Sequence, residues 1–169
     1  INDFVLLAFG IVRPYKGLKK VIEALNILKN QDIKPKLIIA GEFWENKSDY
    51  IKLINRFRLS DQVIIIDKYI PDNEVGILFS SADAYVAAYT QGSQSGAVRI
   101  AVCYDLPILL SHSIIDSVEE TYKCMIVNPE DIRDLAFGIN SIIESRNEKY
   151  FFDNELSYTW DGMAQSIEK

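Results

Sequence analysis

Short apolar runs recur along the chain, and amphipathic segments lie between them. Each run is rich in Val, Ile, Leu or Phe and lacks the polar alternation of a half-exposed strand. Such runs are typical of strands that are covered on both faces. We therefore predict strands over Phe4–Phe9, Lys36–Ala40, Val63–Ile66, Ala84–Ala88, Pro107–Leu110 and Met125–Val127.

The intervening segments have helical periodicity. In Leu18–Asn30, apolar residues recur at helical spacing with lysines and other polar residues between them. Ser48 is placed to cap a second helix, and Pro71 with the acidic residues after it marks the start of a third. The pattern predicts helices over Leu18–Asn30, Ser48–Phe57, Pro71–Phe79, Gly96–Tyr104, a short stretch near Asp116–Glu120, and Asp131–Ser145.

Strand and helix alternate about six times without a hairpin signal, which predicts an α/β fold. Strands that are apolar throughout favour a Rossmann-like parallel six-stranded sheet with helices on both faces. We expect this domain to span residues 1–147, with a helical tail of the same domain at 148–169. Ligands of such sheets bind outside the carboxyl ends of the strands, where the strand order reverses. The loops that follow the strands are therefore the candidate sites.

Composition restricts the partners of this domain. Its 169 residues are enough for one core, and 18 Lys and Arg against 24 Asp and Glu give a net charge of −6. Such a balance argues against nucleic-acid binding, which needs a positive field. Any phosphate site must therefore be local and built from a few cations and backbone amides.

Cysteine usage suggests the compartment in which the protein works, and the start of the chain suggests that it is part of a longer protein. Cys103 and Cys124 form no C-x-x-C pair, and we interpret both as reduced core residues of a cytosolic protein. No run approaches the ~20 apolar residues of a membrane span. The chain enters a strand almost directly after Ile1, which favours a piece of a longer protein cut at a domain boundary.

The first loop after a strand holds two cations between two glycines. Gly10 and Gly17 allow tight turns or a close approach to a ligand, and Arg13 and Lys16 would suit a diphosphate. The alternative is a solvated surface loop. The arrangement is neither a Walker A loop nor G-x-G-x-x-G, which disfavours ordinary ATPases and NAD enzymes.

The fourth such loop, residues 90–96, is small and polar and precedes a helix. Free amides at a helix start bind anions, and Ser93, Gln94 and Ser95 add neutral donors for sugar hydroxyls or phosphate. The alternative is that Ser93 or Ser95 only caps the helix.

Other loops give weaker signals. Tyr69 and Ile70 could offer backbone groups and an apolar wall to a base, or Tyr69 could pack in the core. Phe43 and Trp44 could face a partner domain. His112 is the single histidine and is interpreted as structural, and no metal cluster or catalytic triad has the required spacing.

Several segments of the chain resemble, in order, the C-terminal half of family 4 glycosyltransferases: FGIVRPYKGLKKVIEALNIL, KLIIAGE, VIIIDKYIPDNEVGILFSSADAYVAAYT, SQSGAVRIAVCYDLPIL and YTWDGMAQSIE. The resemblance implies a GT-B architecture, in which two Rossmann-like domains face a cleft and this half binds the nucleotide sugar. The N-terminal acceptor domain would be absent from this chain. Members are typically retaining enzymes that need no metal, and many extend bacterial surface polysaccharides or lipid-linked glycans on the cytoplasmic side of the membrane.

The resemblance also implies residue roles, by position. The donor diphosphate would meet one set of residues, the sugar a second and the base a third. These sets are Gly10, Arg13, Lys16, Ser95, Gly96 and Ala97 for the diphosphate; Ser93 and Gln94 for the sugar; and Gly41, Tyr69 and Ile70 for the base. No catalytic residue is assigned.

The sequence departs from the family pattern at three positions. Ile11 stands where an Arg usually follows the first glycine, and Gly92 and Ile100 stand where the Glu-x7-Glu pair usually lies. Those acids normally contact the donor sugar and the ribose. The expected function is transfer of a sugar from a nucleotide diphosphate to a glycan or lipid-linked acceptor. The alternatives are a degenerate nucleotide-binding or interaction module and another Rossmann-like enzyme such as a sugar-nucleotide epimerase.

Overall fold

The computed structural model describes residues 3–92, 94–118 and 123–146. Within them, parallel strands alternate with α-helices along the chain, and two short 3-10 helices lie at Pro14–Lys16 and His112–Ser117. The strands are β1 (Val5–Phe9), β2 (Lys36–Ala40), β3 (Val63–Ile66), β4 (Ala84–Ala87), β5 (Ile108–Ser111) and β6 (Cys124–Val127). The helices are α1 (Leu18–Asn30), α2 (Lys47–Arg56), α3 (Asp72–Ser80), α4 (Gly96–Cys103) and α5 (Ile132–Ser145).

The six strands form one parallel sheet in the order β3-β2-β1-β4-β5-β6. This confirms the predicted α/β fold. The chain builds outward from β1 in one direction to β3 and then crosses back to place β4 on its other side. The strand order therefore reverses between β1 and β4, and the loops that follow these two strands diverge there and leave a crevice.

Helices cover both faces of the sheet. On one face α1 packs between α2 and α5, and the buried side chains include Ile22, Leu25 and Ile139. On the other face α3 and α4 bury Phe79 and Val98 against the sheet. The central strands β4 and β5 are buried along their whole length, which explains their continuous apolar runs, whereas Ile64 of the edge strand β3 is 49% exposed.

The predicted boundaries hold closely, and the differences have local causes. Helix α2 begins at Lys47 rather than at Ser48, because the Asn46 side chain accepts a 3.1 Å hydrogen bond from the Ser48 N–H and caps the helix. The prediction of Ser48 as the cap is therefore wrong. The short helix predicted near Asp116–Glu120 lies earlier, at His112–Ser117, and part of the predicted range is outside the described residues.

Two further predictions need comment. Cys103 is exposed at the end of α4, so the prediction that it belongs to the core is wrong, whereas Cys124 is half-buried. The tail at 148–169, together with its domain assignment, lies outside the described residues.

Candidate functional site

The carboxyl ends of β1 and β2 meet at two glycines. The Gly10 N–H donates a 2.9 Å hydrogen bond to the Ala40 carbonyl, and Gly10 has a φ of +91°. A Cβ added to Gly41 would lie 2.3 Å from the Gly10 carbonyl oxygen. Only glycine permits this approach, so Gly10 and Gly41 form one floor at the end of the sheet.

Lys16 is folded back over this floor. The 3-10 helix Pro14–Lys16 ends at Gly17, whose φ of +68° turns the chain into α1. The Lys16 Nζ donates a 2.7 Å hydrogen bond to the Phe9 carbonyl and lies 3.1 Å from the position of a Cβ on Gly10. Only 8% of Lys16 is exposed, so its charge sits inside the mouth of the crevice.

The environment of Lys16 favours an anion. Burial lowers the pKa of Lys16 from 10.5 to about 8, because the ammonium has lost water. An ammonium has three N–H donors, and within the described part of the chain Phe9 supplies the one acceptor and no carboxylate pairs with it. A ligand oxygen with negative charge would restore the lost solvation.

The loop after β4 approaches Lys16 from the other side of the crevice. Ser95 caps α4, and its Oγ accepts a hydrogen bond of 3.3 Å from the Val98 N–H. The Ser95 N–H donates at 3.0 Å to the Ser117 Oγ, so this amide has a partner within the protein. Beyond it, the helix start faces open space, because a Cβ added to Gly96 would meet nothing within 4 Å.

Two tyrosines that the sequence reasoning missed connect the two loops. The Tyr85 hydroxyl donates to the Phe9 carbonyl at 3.4 Å, and the Tyr89 hydroxyl lies 3.3 Å from the Ser95 Oγ. Burial raises the pKa of both phenols. Tyrosine in place of Phe or Val at a buried strand end is the signal that could have revealed them, since a buried hydroxyl requires a partner. We refer to Gly10, Lys16, Tyr85, Tyr89 and Ser95 as the Lys16 cluster.

Arg13 is not brought into the Lys16 cluster. Its side chain is exposed, and its guanidinium carbon lies 4.5 Å from the centre of the Trp44 ring. Trp44 itself is 58% exposed, as expected from its loop, whereas Phe43 packs against Tyr50. Arg13 therefore stands at the rim of the crevice on the β2 side.

A cleft of about 530 Å³ adjoins this rim. Its charges are largely neutralised within the protein: the Lys19 Nζ lies 3.1 Å from a Glu45 carboxylate oxygen, and Lys20 pairs with Glu130. These ion pairs make the cleft a poorer anion site than the Lys16 cluster. Its lining consists of Arg13, Pro14, Tyr15, Gly17, Lys19, Lys20, Glu45, Tyr50, Thr90, Gln91 and Glu130.

The residues predicted near the base and the sugar are placed as follows. Ile70 is buried in the core, whereas Tyr69 is 66% exposed, so the core alternative for Tyr69 is wrong. Gln94 is exposed, and its Oε1 accepts a hydrogen bond from Arg99 at 3.5 Å. Ser93 lies outside the described residues. Ala97, in the first turn of α4, is half-buried.

The backbone at Gly92 and the packing at Ile100 do not favour a glutamate at either of these two positions. Gly92 has a φ of +132°, and an added Cβ would lie 3.3 Å from the Ile114 Cγ2, so a longer side chain would be strained there. Ile100 is half-buried and packs against the core. Ile11 is 38% exposed. Neither Gly92 nor Ile100 therefore supplies a carboxylate to the crevice.

Neither a metal-binding cluster nor a membrane-spanning helix is found among the described residues. Within residues 3–92, 94–118 and 123–146, no group of three or more His, Cys, Asp or Glu side chains is arranged to hold a metal ion. None of the helices in these ranges has the length and hydrophobicity that a membrane span requires.

The sequence matches a known protein family over most of its length. The family described as "Glycosyl transferases group 1" matches residues 2–154 of the chain. No curated protein matches it.

Solved structures share the fold. HepE from Anabaena, determined in complex with UDP, is 21% identical with a TM-score of 0.73, and the match covers 98% of this chain and 44% of HepE. The C-terminal domain of LpcC, a group 1 glycosyl transferase from Francisella tularensis, is 19% identical with a TM-score of 0.72, covering 97% of this chain and 86% of that one. WaaG, a glycosyltransferase involved in lipopolysaccharide biosynthesis, is 18% identical with a TM-score of 0.73, covering 98% of this chain and 46% of WaaG. The chain thus spans less than half the length of HepE and WaaG.

Proposed function

Because the chain belongs to the glycosyl transferases group 1 family, as its resemblance predicted, we propose that it binds the sugar donor of a glycosyltransferase reaction. The donor is a nucleotide-diphosphate sugar. The complete enzyme transfers the sugar, a hexose, with retention of configuration to a glycan or lipid-linked acceptor held by a second domain.

The observation that supports this proposal most directly is the buried ammonium of Lys16 beside Gly10. It lies at the reversal of strand order, where α/β sheets bind ligands. We assign the exposed start of α4, which follows β4 at this reversal, to the same site, where it would add amide donors and the positive end of a helix dipole. A diphosphate oxygen held between them would regain the solvation that Lys16 has lost.

The same groups suit the chemical step. When the sugar leaves, negative charge grows on the bridging oxygen of the diphosphate. A fixed cation and fixed amides stabilise that charge in a partly dry crevice without reorganising. Lys16 and the amides of Gly96 and Ala97 are the proposed donors, and Arg13 reaches the outer phosphate from the rim. This set balances the diphosphate charge without a metal ion.

The rest of the donor is assigned to the neighbouring loops. Gly41 and the backbone at Tyr69 and Ile70 would lie near the base, while Ser93 and Gln94 would meet the sugar. The HepE structures with UDP, and with UDP and glucose, support a nucleotide-sugar ligand for this fold. We assign the complete protein to cell-surface polysaccharide synthesis, a role supported by its structural similarity to WaaG, a glycosyltransferase involved in lipopolysaccharide biosynthesis. Following the family resemblance alone, we place it in bacteria, on the cytoplasmic side of the membrane and with peripheral membrane association.

The proposal is tested by titrating the chain with UDP, ADP, GDP and TDP, monitored by calorimetry and by amide chemical shifts. We expect one diphosphate to bind with 1:1 stoichiometry and to shift the amide signals of Gly10, Lys16 and Gly96. Addition of a chelator should leave this binding unchanged. A folded sample that binds none of the four would contradict the proposal.

A second candidate function is a degenerate interaction module that no longer transfers sugar. Gly92 and Ile100, which replace the two family carboxylates, favour it. The titration separates the two, because a module that only holds a protein partner would show no saturable binding of a nucleoside diphosphate.

A further inference from the structure

Tyr89 lies between the two halves of the proposed diphosphate site. The Lys16 Nζ is 5.7 Å from the centre of the Tyr89 ring, and the Tyr89 hydroxyl is 3.3 Å from the Ser95 Oγ. One side chain therefore contacts both the ammonium after β1 and the cap of α4. Only 4% of Tyr89 is exposed, so water is nearly excluded from both contacts.

The ring of Tyr89 is held in a fixed orientation. The Tyr15 ring packs edge-on against it, with 5.6 Å between the ring centres. The backbone N–H of Thr90 donates a 2.7 Å hydrogen bond to the Tyr15 carbonyl, which ties the β4 loop to the 3-10 helix that bears Lys16. The Tyr15 ring and this neighbouring backbone bond thus hold the Tyr89 ring beside Lys16, and a π-face attracts a cation most strongly where water is excluded.

The hydroxyl of Tyr89 acts on the helix start. Ser95 receives contacts from three directions: Tyr89 and the Val98 N–H at its Oγ, and the Ser117 Oγ at its N–H. These bonds fix the orientation of the first turn of α4, so the amides of Gly96 and Ala97 point in a defined direction.

We infer that Tyr89 is a positioning residue of the donor site, which holds the Lys16 ammonium with its ring and the start of α4 with its hydroxyl. The inference rests on the proposed function and adds to it a residue that never touches the ligand. It explains why a tyrosine, and not a plain apolar residue, occupies this buried position.

The positioning role of Tyr89 can be measured through the pKa of Lys16, which depends on the groups that face its ammonium. These groups are the Phe9 carbonyl from β1, the phenol of Tyr85, which shares that carbonyl, and the ring of Tyr89. The phenols of Tyr85 and Tyr89 stay neutral at physiological pH, because burial raises the pKa of both. The proton of Lys16 is therefore governed by burial, which lowers its pKa to about 8, and by the ring face opposing that shift.

The experiment compares Tyr89→Leu, which removes ring and hydroxyl, with Tyr89→Phe, which removes the hydroxyl alone. Tyr50→Phe is the matched control, because it also deletes a buried hydroxyl contact, that between Tyr50 and Glu45 at 2.7 Å, but in the other core cluster. For each folded variant, UDP, ADP, GDP and TDP are titrated from pH 6 to 9.5 and the pKa of Lys16 is followed by its Cε chemical shift.

In Tyr89→Leu, we expect the pKa of Lys16 to fall below that of the wild type and diphosphate binding at pH 7.5 to weaken roughly 2- to 30-fold. Tyr89→Phe should keep the wild-type pKa of Lys16 and weaken binding by a few-fold through the helix start alone. Tyr50→Phe should match the wild type in both readouts.

Two contrary outcomes are distinguishable. If the wild type binds a diphosphate and Tyr89→Leu preserves both its affinity and the Lys16 pKa, the inference fails and the proposed function stands. If the folded wild type binds none of the four diphosphates, the proposed function fails, and the positioning role fails with it.

Discussion

Two regions of the molecule bury their side chains to a similar degree, but burial stabilises the fold in one region and costs stability in the other. On the α1–α5 face, defined by Val21, Ile22, Leu25, Leu135 and Ile139, the side chains are fully buried and apolar, and each contributes to stability. The Lys16 cluster buries an ammonium without a carboxylate partner among the described residues. We interpret the first region as serving the stability of the fold, and we expect the proposed ligand to repay the folding cost of the second.

The largest expected effect separates folding from binding. Leu25→Ala opens a cavity in the α1–α5 face, where Leu25 is 0% exposed, and should lower the free energy of unfolding by about 2–5 kcal/mol. Urea denaturation measures the loss. The diphosphate affinity of the remaining folded protein should not change, since Leu25 lies away from the Lys16 cluster. A parallel loss of affinity would show that the two regions are not independent.

Lys16→Met should lower diphosphate affinity and raise the free energy of unfolding, whereas Leu25→Ala lowers the free energy of unfolding alone. Diphosphate affinity should fall roughly 10- to 100-fold because a charged hydrogen bond is lost. The free energy of unfolding at pH 7 should rise by about 1–3 kcal/mol, because the folded state no longer buries a charge. Calorimetry and urea denaturation measure the two quantities. Lys52→Met, at an exposed lysine of α2, is the matched control and should change neither.

The pH dependence of stability and of diphosphate affinity provides a third test, because both depend on the protonation of Lys16. Between pH 8 and 10.5 the unfolded chain retains this proton and the folded chain has released it, so the contribution of Lys16 makes the free energy of unfolding rise with pH. Over the same range diphosphate affinity should fall by up to about tenfold per pH unit, because the ligand needs the charged form. Subtracting the Lys16→Met profile from the wild-type profile isolates both slopes. Superimposable profiles would mean that Lys16 does not titrate in this window.

The smallest effect on diphosphate affinity is expected for Arg13, which lies at the rim of the crevice. Arg13→Ala should weaken diphosphate binding only about two- to fivefold, because an exposed guanidinium is screened by water and salt. The effect should shrink further at high salt. Arg56→Ala is a close control, since Arg56 is also an exposed guanidinium near an aromatic ring, that of Phe57, but at the far end of α2. Equal affinities for the two variants would remove Arg13 from the proposed site.

Much of the fold was predictable because local patterns encode it. The apolar runs and helical spacings located α1, β2 and β3 with their observed bounds, and the alternation predicted a parallel sheet. Caps were less predictable, since Asn46 and Ser48 are both good capping residues and only backbone geometry selects between them. The exposure of Cys103 was also mispredicted, because a cysteine at a helix end is equally compatible with either environment.

The sequence by itself determined the alternation of elements, the family, and the two loops in which a diphosphate site had to be sought. Only the tertiary structure decided that Lys16 turns inward beside Gly10 while Arg13 turns outward onto Trp44, and that Tyr85 and Tyr89 join the two loops. The physical reason is that periodicity is a property of neighbours along the chain. The burial of a charge and the partner of a hydroxyl depend on neighbours in space, which the pairing of β1 with β4 brings together.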